Sequence, residues 1–270
     1  MQAEDTLLRP GTANKTVHTF AHLNRSKRFR AKQGLFAMEG SRLIFDAVKS
    51  GVKLRALLLT EKAQTQFSDA LHDAVPDVRT LLLSDALANE IADTETAQGI
   101  FAVAEMLPET AALPKQGDHS LLLHNLQDPS NLGAVLRTAE ALGISGVYLY
   151  QCADLYNPKT LRSSMGALFR VPLRTVSDPA AFLSHCAAAS VPTCAAVVDR
   201  DAMPVQRFDF SGGAAVLIGN EGSGLPREIS DACAYRLTIP MNPESNSLNA
   251  AMAAGLLLWE MRREALSNTD

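Results

Sequence analysis

In the N-terminal part of the chain, short apolar runs alternate with segments whose apolar residues recur at helical spacing. The pattern first predicts a short strand, then an amphipathic helix, then a strand over 54–59. Strands are also expected over 78–85 and 99–106, with a short helix over 85–92 between them. This alternation is typical of a small α/β sandwich, which we expect in residues 1–106. The buried face of the amphipathic helix is predicted to consist of Leu43, Ile44, Ala47 and Val48.

Residues 107–119 interrupt this alternation with two prolines and a polar cluster that has no periodicity, so we expect a linker there. Beyond the linker, buried strands again alternate with helices, as far as a long final helix over 247–266. Strands separated by helices favour a mostly parallel sheet covered on both faces, which predicts a second α/β domain over 120–270. The other predicted strands and helices are 120–126, 131–143, 146–150, 158–169, 179–189, 193–198, 214–218 and 235–240.

Composition restricts the class of protein without indicating a reaction. Of the 270 residues, 47% are hydrophobic and 20% are charged, as in soluble globular proteins. No apolar run approaches the roughly 18 residues of a membrane span, and the N-terminus lacks the pattern of a secretory signal. Four scattered cysteines and six isolated histidines predict neither disulfides nor a metal site, and a reducing, cytoplasmic compartment fits them best.

The net charge of −4 disfavours a general nucleic-acid binder, but positive charge is concentrated in residues 15–32. This segment contains six basic residues, no acidic residue and two interspersed phenylalanines. Such a pattern suits contacts with a phosphodiester backbone and occasional base stacking. A solvated basic helix face explains the charges as well, so both interpretations stay open. The candidates for RNA contact are Arg25, Lys27, Arg28 and Arg30.

The glycine-rich sequence IGNEGSGLP raises the question of phosphate binding. Gly219 and Gly224 have the spacing of the first two P-loop glycines, but Leu225 and Pro226 stand where Lys and Ser or Thr are required. The glycines run in the order GxxGxG, which also fails the dinucleotide pattern, and the charge of Glu221 would repel a phosphate. What remains is a flexible backbone after a buried strand, holding one carboxylate and one amide. An ordinary glycine-rich turn is the simpler alternative.

Three polar loops follow predicted strands, at the edge where open α/β sheets bind ligands. Their sequences are HNLQDPSNLGAVLR, IGNEGSGLP and IPMNPESNSLNAA. Each has a simpler structural explanation: Ser130 or Asn131 can cap the following helix, and Ser247 can cap the last one. Arg137 lies beside the apolar stripe of its helix and need not be buried. Because three such loops occur in one domain, we expect a binding site at this edge.

These three loops resemble the signature motifs of the SpoU/TrmH family, which are RNA 2′-O-ribose methyltransferases of the SPOUT superfamily. DPSNLGAVLRTAEALG is similar throughout to the first motif, and IGNEGSGL is similar to the second. Residues 239–260 are similar to the third, and SSMGALFRVP is similar to the segment between the first and second. The resemblance covers about residues 120–265.

The resemblance implies that the second and third motifs form a deep trefoil knot that holds S-adenosylmethionine. A knot cannot be predicted from pattern, since threaded chains are very rare. A cationic sulfonium tolerates the carboxylate that a phosphate would not, and glycines let the backbone approach an adenine closely. No metal is needed for the implied reaction. The implied cofactor-binding residues are Gly219, Ile239, Met241, Ser247 and Leu248.

The resemblance also implies catalytic roles. Arg137 corresponds to an arginine proposed to contact the target phosphate and to help deprotonate the ribose 2′-hydroxyl. Because arginine stays protonated in proteins, a role in orientation and electrostatics stands beside that of a base. Asn131 corresponds to an asparagine that positions this arginine or the ribose. The polar residues that close the site are implied to be Glu221, Ser247 and Asn249.

Two positions depart from the family pattern. Asn246 stands where relatives often have an acid, and Pro243 stands where they often have glycine. The number of residues between Ile239 and Ser247 is the same as in the third motif of the family. The departures therefore concern the detail of the turn more than the activity.

Residues 24–48 resemble the substrate-binding domain of many family members, a fold related to a ribosomal RNA-binding protein. The resemblance implies a homodimer, because the family's sites form at a subunit interface. It implies an RNA substrate, for which the extra domain favours ribosomal RNA and leaves transfer RNA open. The alternatives are a non-catalytic RNA-binding module on the same fold and a nucleotide-binding hydrolase, which the missing P-loop lysine disfavours.

Overall fold

The computed structural model describes residues 14–242 and 244–267, and the chain divides into two units. The first unit includes a short segment, 156–162, that the pattern of strands had placed in the C-terminal domain. The predicted linker at 107–119 and the domain limits on either side of it otherwise stay predictions. Within the described residues, no helix combines the length and apolar character needed to cross a bilayer. The two units are Met1–Leu107 with Tyr156–Arg162, and Pro108–Leu155 with Ser163–Asp270.

The first unit is built on a four-stranded sheet with helices packed against it. Its strands are β1 (Leu35–Glu39), β2 (Leu54–Thr60), β3 (Thr80–Leu83) and β4 (Ile100–Glu105). The strand order is β1-β4-β2-β3, in which only β2 and β3 are parallel. Its helices are α1 (Lys15–Arg25), α2 (Lys27–Gln33), α3 (Ser41–Lys49), α4 (Glu61–Ala74) and α5 (Asp85–Ile91). The predicted α/β fold of this part is confirmed.

The basic segment forms α1 and α2, which meet at Ser26, whose hydroxyl accepts a hydrogen bond from the amide of Phe29 at 3.1 Å. The side chains of Arg25, Lys27 and Arg28 are exposed. The placement of Arg30 among the RNA-contacting residues was wrong. Arg30 is only 3% exposed, and its guanidinium donates to the carbonyl oxygen of Leu23, so it is used inside the unit.

Helix α4 was not predicted, because the face that it turns toward the sheet carries few apolar residues. Among the side chains of α4 whose burial the structure describes, only Ala63 and Leu71 are buried; Phe67 is half-buried, and most of the other residues are polar. The strand predicted over 78–85 is also shorter, since it ends at Leu83. Ser84 caps α5 by accepting a hydrogen bond from the amide of Leu87 at 3.3 Å, and a capping residue leaves the strand.

The second unit contains a seven-stranded sheet in which every neighbouring pair is parallel. Its strands are β5 (His119–His124), β6 (Gly146–Tyr150), β7 (Leu173–Thr175), β8 (Thr193–Ala196), β9 (Met203–Pro204), β10 (Ala214–Ile218) and β11 (Tyr235–Thr238). Its helices are α6 (Pro129–Ala141), α8 (Pro179–Ala188), α9 (Arg227–Ala232) and α10 (Ala250–Ser267). Helix α7 (Pro158–Ser164) begins in the segment that belongs to the first unit and ends in the second. The predicted parallel sheet is confirmed, whereas β7, β9 and α9 were missed because they are short.

The order of this sheet is β7-β6-β5-β10-β8-β11-β9. The neighbouring strands β5 and β10 are paired up to Leu123 and Ile218, so the loops that follow them leave the sheet side by side. The loop after β11 starts from the same edge, because all these strands are parallel. The three polar loops found in the sequence therefore meet at one edge. The trefoil knot stays a prediction, since strand order and register do not define how a chain passes through its own loops.

The helix predicted over 158–169 is interrupted. Helix α7 ends at Ser164, and a short 3₁₀ turn follows over Ala167–Phe169. Between them, Met165 and Gly166 have left-handed backbone conformations, with φ of 50° and 82°. A right-handed helix cannot pass through such residues, so the element breaks there.

Candidate active site

A cavity of about 520 Å³ lies at the carboxyl edge of the parallel sheet. Its walls come from the ends of β8, β10 and β11, from the glycine-rich turn and from the beginning of α10. The apolar part of the wall includes Ile218, Leu237 and Leu257, all of which are buried. All five residues predicted to bind the cofactor line this one cavity: Gly219, Ile239, Met241, Ser247 and Leu248.

The glycine-rich turn is a tight hairpin closed by two backbone hydrogen bonds between Asn220 and Gly224, at 2.9 and 3.1 Å. Gly219 is required by a close backbone approach, because a Cβ atom there would lie 2.1 Å from the carbonyl carbon of Gly224. The Oδ1 atom of Asn220 accepts from the amides of Gly222 and Ser223, which holds the turn in shape. The turn therefore presents a fixed row of backbone groups to the cavity.

The carboxylate of Glu221 is held by the loop that follows β5. It accepts hydrogen bonds from the backbone amides of Gln127 at 3.1 Å and Asp128 at 2.8 Å. The side-chain amide of Asn131 donates to it at 3.3 Å. Burial would raise the pKa of Glu221, but the donated hydrogen bonds from Asp128, Gln127 and Asn131 outweigh burial and hold the pKa below its ordinary value. Glu221 is therefore an anion at neutral pH.

Asn131 joins this carboxylate to the start of α10. Its Oδ1 atom accepts a hydrogen bond from the side-chain amide of Asn249 at 3.0 Å. Asn249 in turn caps α10, since its own Oδ1 accepts from the amides of Ala251 and Met252 at 2.9 and 3.2 Å. Residues from all three polar loops are thus connected by side-chain hydrogen bonds. We call this set the carboxamide relay: the carboxamides of Asn131 and Asn249, together with the carboxylate of Glu221 that accepts from Asn131.

Both capping assignments made from the sequence were wrong. Helix α10 begins at Ala250 and is capped by Asn249, whereas Ser247 lies outside it. Helix α6 begins at Pro129 and is capped by Asp128, whose Oδ1 accepts from the amides of Ser130 and Asn131. Because Asn131 and Ser247 are not needed as caps, their side chains are available to the site.

A second cavity, of about 560 Å³, adjoins the first and shares Glu221, Ser247, Leu248 and Ala250 with it. The relay residues Asn131 and Asn249 line this second cavity and not the first. The shared residues therefore stand where two binding spaces meet. The complete lining of the second cavity is Gln127, Asp128, Asn131, Glu221, Ser247, Leu248, Asn249 and Ala250.

Arg137 is not brought to these two cavities. It is exposed on α6, six residues and about 9 Å along the helix axis beyond Asn131. It lines a third cavity, which it shares with Trp259 of α10. The structure therefore gathers four of the five residues predicted to be catalytic and leaves Arg137 on another face of the same unit.

Sequence reasoning missed Gln127, Asp128 and Asn220, although all three take part in the site's hydrogen bonds. Asp128 and Asn220 lie within the motifs, and both are residue types that readily hydrogen-bond to backbone amides, so the sequence did indicate them. Asn246, one of the two departures from the family pattern, lines the first cavity. Pro243, the other departure, lies outside the described residues.

The described residues show neither a cluster of metal ligands nor an activated thiol. Within residues 14–242 and 244–267, no cluster of His, Cys, Asp and Glu is arranged to hold a metal ion. The four cysteines are free, and burial raises the pKa of Cys152 to about 11 and that of Cys194 to about 12. Both of these thiols are protonated at neutral pH and are poor nucleophiles.

An adenosine with a sulfonium group suits the first cavity. Its apolar walls match the face of an adenine, and the backbone of the turn offers donors and acceptors to the edge of the base. The glycine at 219 leaves no side chain between that backbone and the cavity. The anionic Glu221 at the junction with the second cavity suits a positive charge.

Comparison with known proteins assigns the chain to a family. The SpoU rRNA Methylase family matches residues 118–259, and the MRM3-like substrate binding domain matches residues 14–102. The chain therefore belongs to the SpoU rRNA methylase family. The predicted family, fold class and class of enzyme, an RNA methyltransferase, are confirmed.

Curated relatives and solved structures extend along most of the chain. The 23S rRNA (guanosine(2553)-2′-O)-methyltransferase RlmP of Bacillus subtilis is 31% identical over 92% of this chain and 96% of its own length. The 23S rRNA (uridine(2479)-2′-O)-methyltransferase of Streptomyces viridochromogenes is 34% identical, over 90% of this chain and 87% of its own. The AdoMet-bound rRNA methyltransferase structure from Sinorhizobium meliloti superposes with a TM-score of 0.84 at 27% identity, covering 96% and 98% of the two chains.

Proposed function

We propose that this chain transfers a methyl group from S-adenosylmethionine to a ribose 2′-hydroxyl in the RNA of the large ribosomal subunit. The observation that carries the proposal is the carboxamide relay, which connects all three motif loops at the junction of two cavities. The names of the Bacillus subtilis and Streptomyces viridochromogenes relatives, both 23S rRNA 2′-O-methyltransferases, support this choice of RNA.

The first cavity is proposed as the cofactor site. Its residues Gly219, Ile239 and Leu248 would hold the adenosine, with Met241 and Ser247 beside them. When bound, S-adenosylmethionine supplies an electrophilic methyl group. The prediction of this cofactor is supported by the Sinorhizobium meliloti structure and by the structure of AviRb from Streptomyces viridochromogenes in complex with AdoMet, whose TM-score is 0.82.

The second cavity is proposed as the ribose site. The side chains of Asn131, Asn249 and Ser247 offer both donors and acceptors, as the two hydroxyls of a ribose require. Glu221 keeps the amide of Asn131 in one orientation, so the amide oxygen faces Asn249 and both amides are fixed before substrate arrives. Holding a nucleophile in one geometry supplies a large share of catalysis in two-substrate reactions.

Arg137 is proposed to bind the phosphate next to the target ribose. Its guanidinium cannot serve as an ordinary base, because it stays protonated in proteins. A fixed positive charge near the 2′-oxygen stabilises the negative charge that develops as the hydroxyl loses its proton. Because Arg137 lies outside the two cavities of its own chain, we assign this role to a homodimer in which a second copy supplies the arginine.

The face proposed for this homodimer is the outer side of α10. Met252, Leu256 and Trp259 lie on it at helical spacing and are 61%, 40% and 47% exposed. The cavity that contains Arg137 borders Trp259 on the same face. A stable dimer buries about 800 Å² on each partner, and an exposed aromatic in an apolar stripe is a typical centre for such an interface.

The first unit is proposed to bind the RNA substrate. The exposed Arg25, Lys27 and Arg28 lie on two consecutive helices with no acidic side chain in the segment 15–32. The match to the MRM3-like substrate binding domain covers this surface. Since the proposed substrate is ribosomal RNA, we also propose the cytoplasm as the compartment.

The experiment that tests the function combines the purified protein with methyl-labelled S-adenosylmethionine and separated, unmodified ribosomal and transfer RNA. After nuclease digestion, label is expected on a ribose 2′-oxygen from the large-subunit RNA. Label on transfer RNA would show that the substrate is transfer RNA and not ribosomal RNA. Label on a base would overturn the reaction, and intact cofactor binding without any label would favour a non-catalytic RNA-binding module.

A further inference from the structure

Two residues with strained backbone conformations follow neighbouring strands next to the site. Asn125 follows β5 with φ of 58°, and Gln151 follows β6 with φ of 50°. The two strands are paired up to His124 and Tyr150, so the strained residues lie side by side. Residues other than glycine seldom adopt this left-handed region, and a long side chain such as that of glutamine does so less readily than asparagine.

The side chain of Gln127 is bonded to both of them. Its Nε2 atom donates to the Oδ1 atom of Asn125 and to the backbone carbonyl oxygen of Gln151, each at 2.6 Å. A carboxamide nitrogen has two N–H groups, so these two bonds use its entire donor capacity. Gln127 therefore holds two left-handed turns together with one functional group.

The turn held in this way is the one that grips Glu221. The backbone amides of Gln127 and Asp128 donate to the two carboxylate oxygens. The carbonyl oxygen of Asn125 also accepts a hydrogen bond from the side chain of Asn220 at 2.8 Å, which connects the same turn to the glycine-rich hairpin. The position of the carboxylate thus depends on the conformation of residues 125–128.

We propose that Gln127 is a positioning residue for methyl transfer. Its carboxamide stabilises the left-handed conformations of Asn125 and Gln151, and these aim the amides of Gln127 and Asp128 at Glu221. Glu221 in turn orients Asn131 and, through it, Asn249. The proposal rests on the proposed function only in that methyl transfer is one of its readouts.

The test uses Gln127→Met, which keeps the length of the side chain and removes both N–H donors. We expect kcat to fall on the order of 10-fold, within the roughly 100-fold that a displacement of 1 Å can cost. The dissociation constant for S-adenosylmethionine should change by a smaller factor than kcat, because Glu221 is one of many residues that line the first cavity, whereas Asn131 and Asn249 line only the second. Hydrogen exchange at the amides of Gln127 and Asp128, measured by NMR on the protein alone, should become faster.

A second substitution separates positioning from direct substrate contact. Gln151→Gly relieves the strain at that residue, because glycine adopts positive φ without steric cost, and it retains the backbone carbonyl that Gln127 contacts. Introduced into Gln127→Met, it should restore part of the lost kcat and slow the amide exchange again. Restoration of neither would overturn the proposal and assign Gln127 a direct contact with RNA in the second cavity.

Gln206→Met is the matched control, since Gln206 is an exposed glutamine of the same unit outside the cavities described. Wild-type kcat and wild-type amide exchange in Gln127→Met would also overturn the proposal. So would parallel losses of kcat, cofactor affinity and melting temperature, which would indicate a general defect of folding. If the wild-type protein methylates no RNA, the proposed function fails, while the exchange measurement still decides the role of Gln127.

Discussion

Asn249 donates its side-chain amide to the Oδ1 atom of Asn131 across 3.0 Å, although 118 positions separate them in the chain. The same Asn249 caps α10 through its Oδ1 atom. One side chain therefore serves both the stability of a helix and the orientation of a site residue. Because donor and acceptor are different atoms of one carboxamide, the two functions can be separated by substitution.

Asn249→Asp should retain the helix cap and lose the donor to Asn131. We expect a melting temperature close to that of the wild type and a kcat lower on the order of 10-fold or more. Asn249→Ala removes both functions and should also lose about 1 kcal/mol of stability, the usual value of a helix cap. Thermal unfolding and single-turnover methylation distinguish the two variants; equal melting temperatures for them would contradict the capping role.

Glu221→Gln should change how stability depends on pH. The folded-state pKa of Glu221 lies below its unfolded value, so its ionised form stabilises the fold above about pH 4.3. That stabilisation is lost as the pH falls through the lower, folded-state pKa. The difference in unfolding free energy between wild type and Glu221→Gln, measured in urea, should therefore shrink on acidification from pH 7. A difference that stays constant from pH 7 down to about pH 4 would contradict this role of the Glu221 carboxylate.

Gly219→Ala should disrupt the cofactor cavity. The added Cβ would lie 2.1 Å from backbone of the same hairpin, and overpacking of this kind costs about 1–3 kcal/mol. Gly224→Ala is the matched substitution: its φ is +67° and no atom lies within 4 Å of the new Cβ, so only backbone strain opposes it. Calorimetric titration with S-adenosylmethionine should find binding abolished in the first variant and retained in the second. Equal affinities would show that the close approach at 219 is not needed.

Arg137→Ala should bind S-adenosylmethionine normally and transfer little methyl, with a loss on the order of 10²-fold or more. If a second copy supplies this arginine, then mixing Arg137→Ala with Asn131→Ala subunits should restore activity. In the mixed dimer, one site receives both wild-type residues. Activity of the mixture no higher than that of either variant alone would contradict the homodimer with shared sites.

Neutralising Arg25, Lys27 and Arg28 to glutamine should weaken RNA binding. The slope of log affinity against log salt should also flatten, by about 0.7–0.9 for each phosphate that the variant no longer neutralises. Arg30→Gln should behave differently, since its guanidinium is buried. It should lower the melting temperature and leave the salt slope unchanged. Filter binding at several salt concentrations measures the slopes. An unchanged slope for the triple variant would show that the basic segment is a solvated helix face that does not contact RNA.

Much of the architecture could be predicted because the relevant signals are local. Buried parallel strands such as 120–126 and 214–218 appear as apolar runs, and helices such as α6 show apolar residues at helical spacing. Parallel strands place their following loops at one edge, so the meeting of the three polar loops also followed from the pattern. Elements with few buried residues, such as α4, gave no comparable signal.

The sequence by itself determined the order of the elements, the family motifs and the residues available to the site. Only the tertiary structure decided what each polar side chain does: that Arg30 is buried, that Asn249 caps α10, that Arg137 faces another cavity, and that Gln127 joins two strained turns. The physical reason is the separation along the chain of the groups that interact. Periodicity reflects burial along a single element, whereas the partner of an amide or guanidinium depends on strand register and loop path, and these bring together residues far apart in the chain.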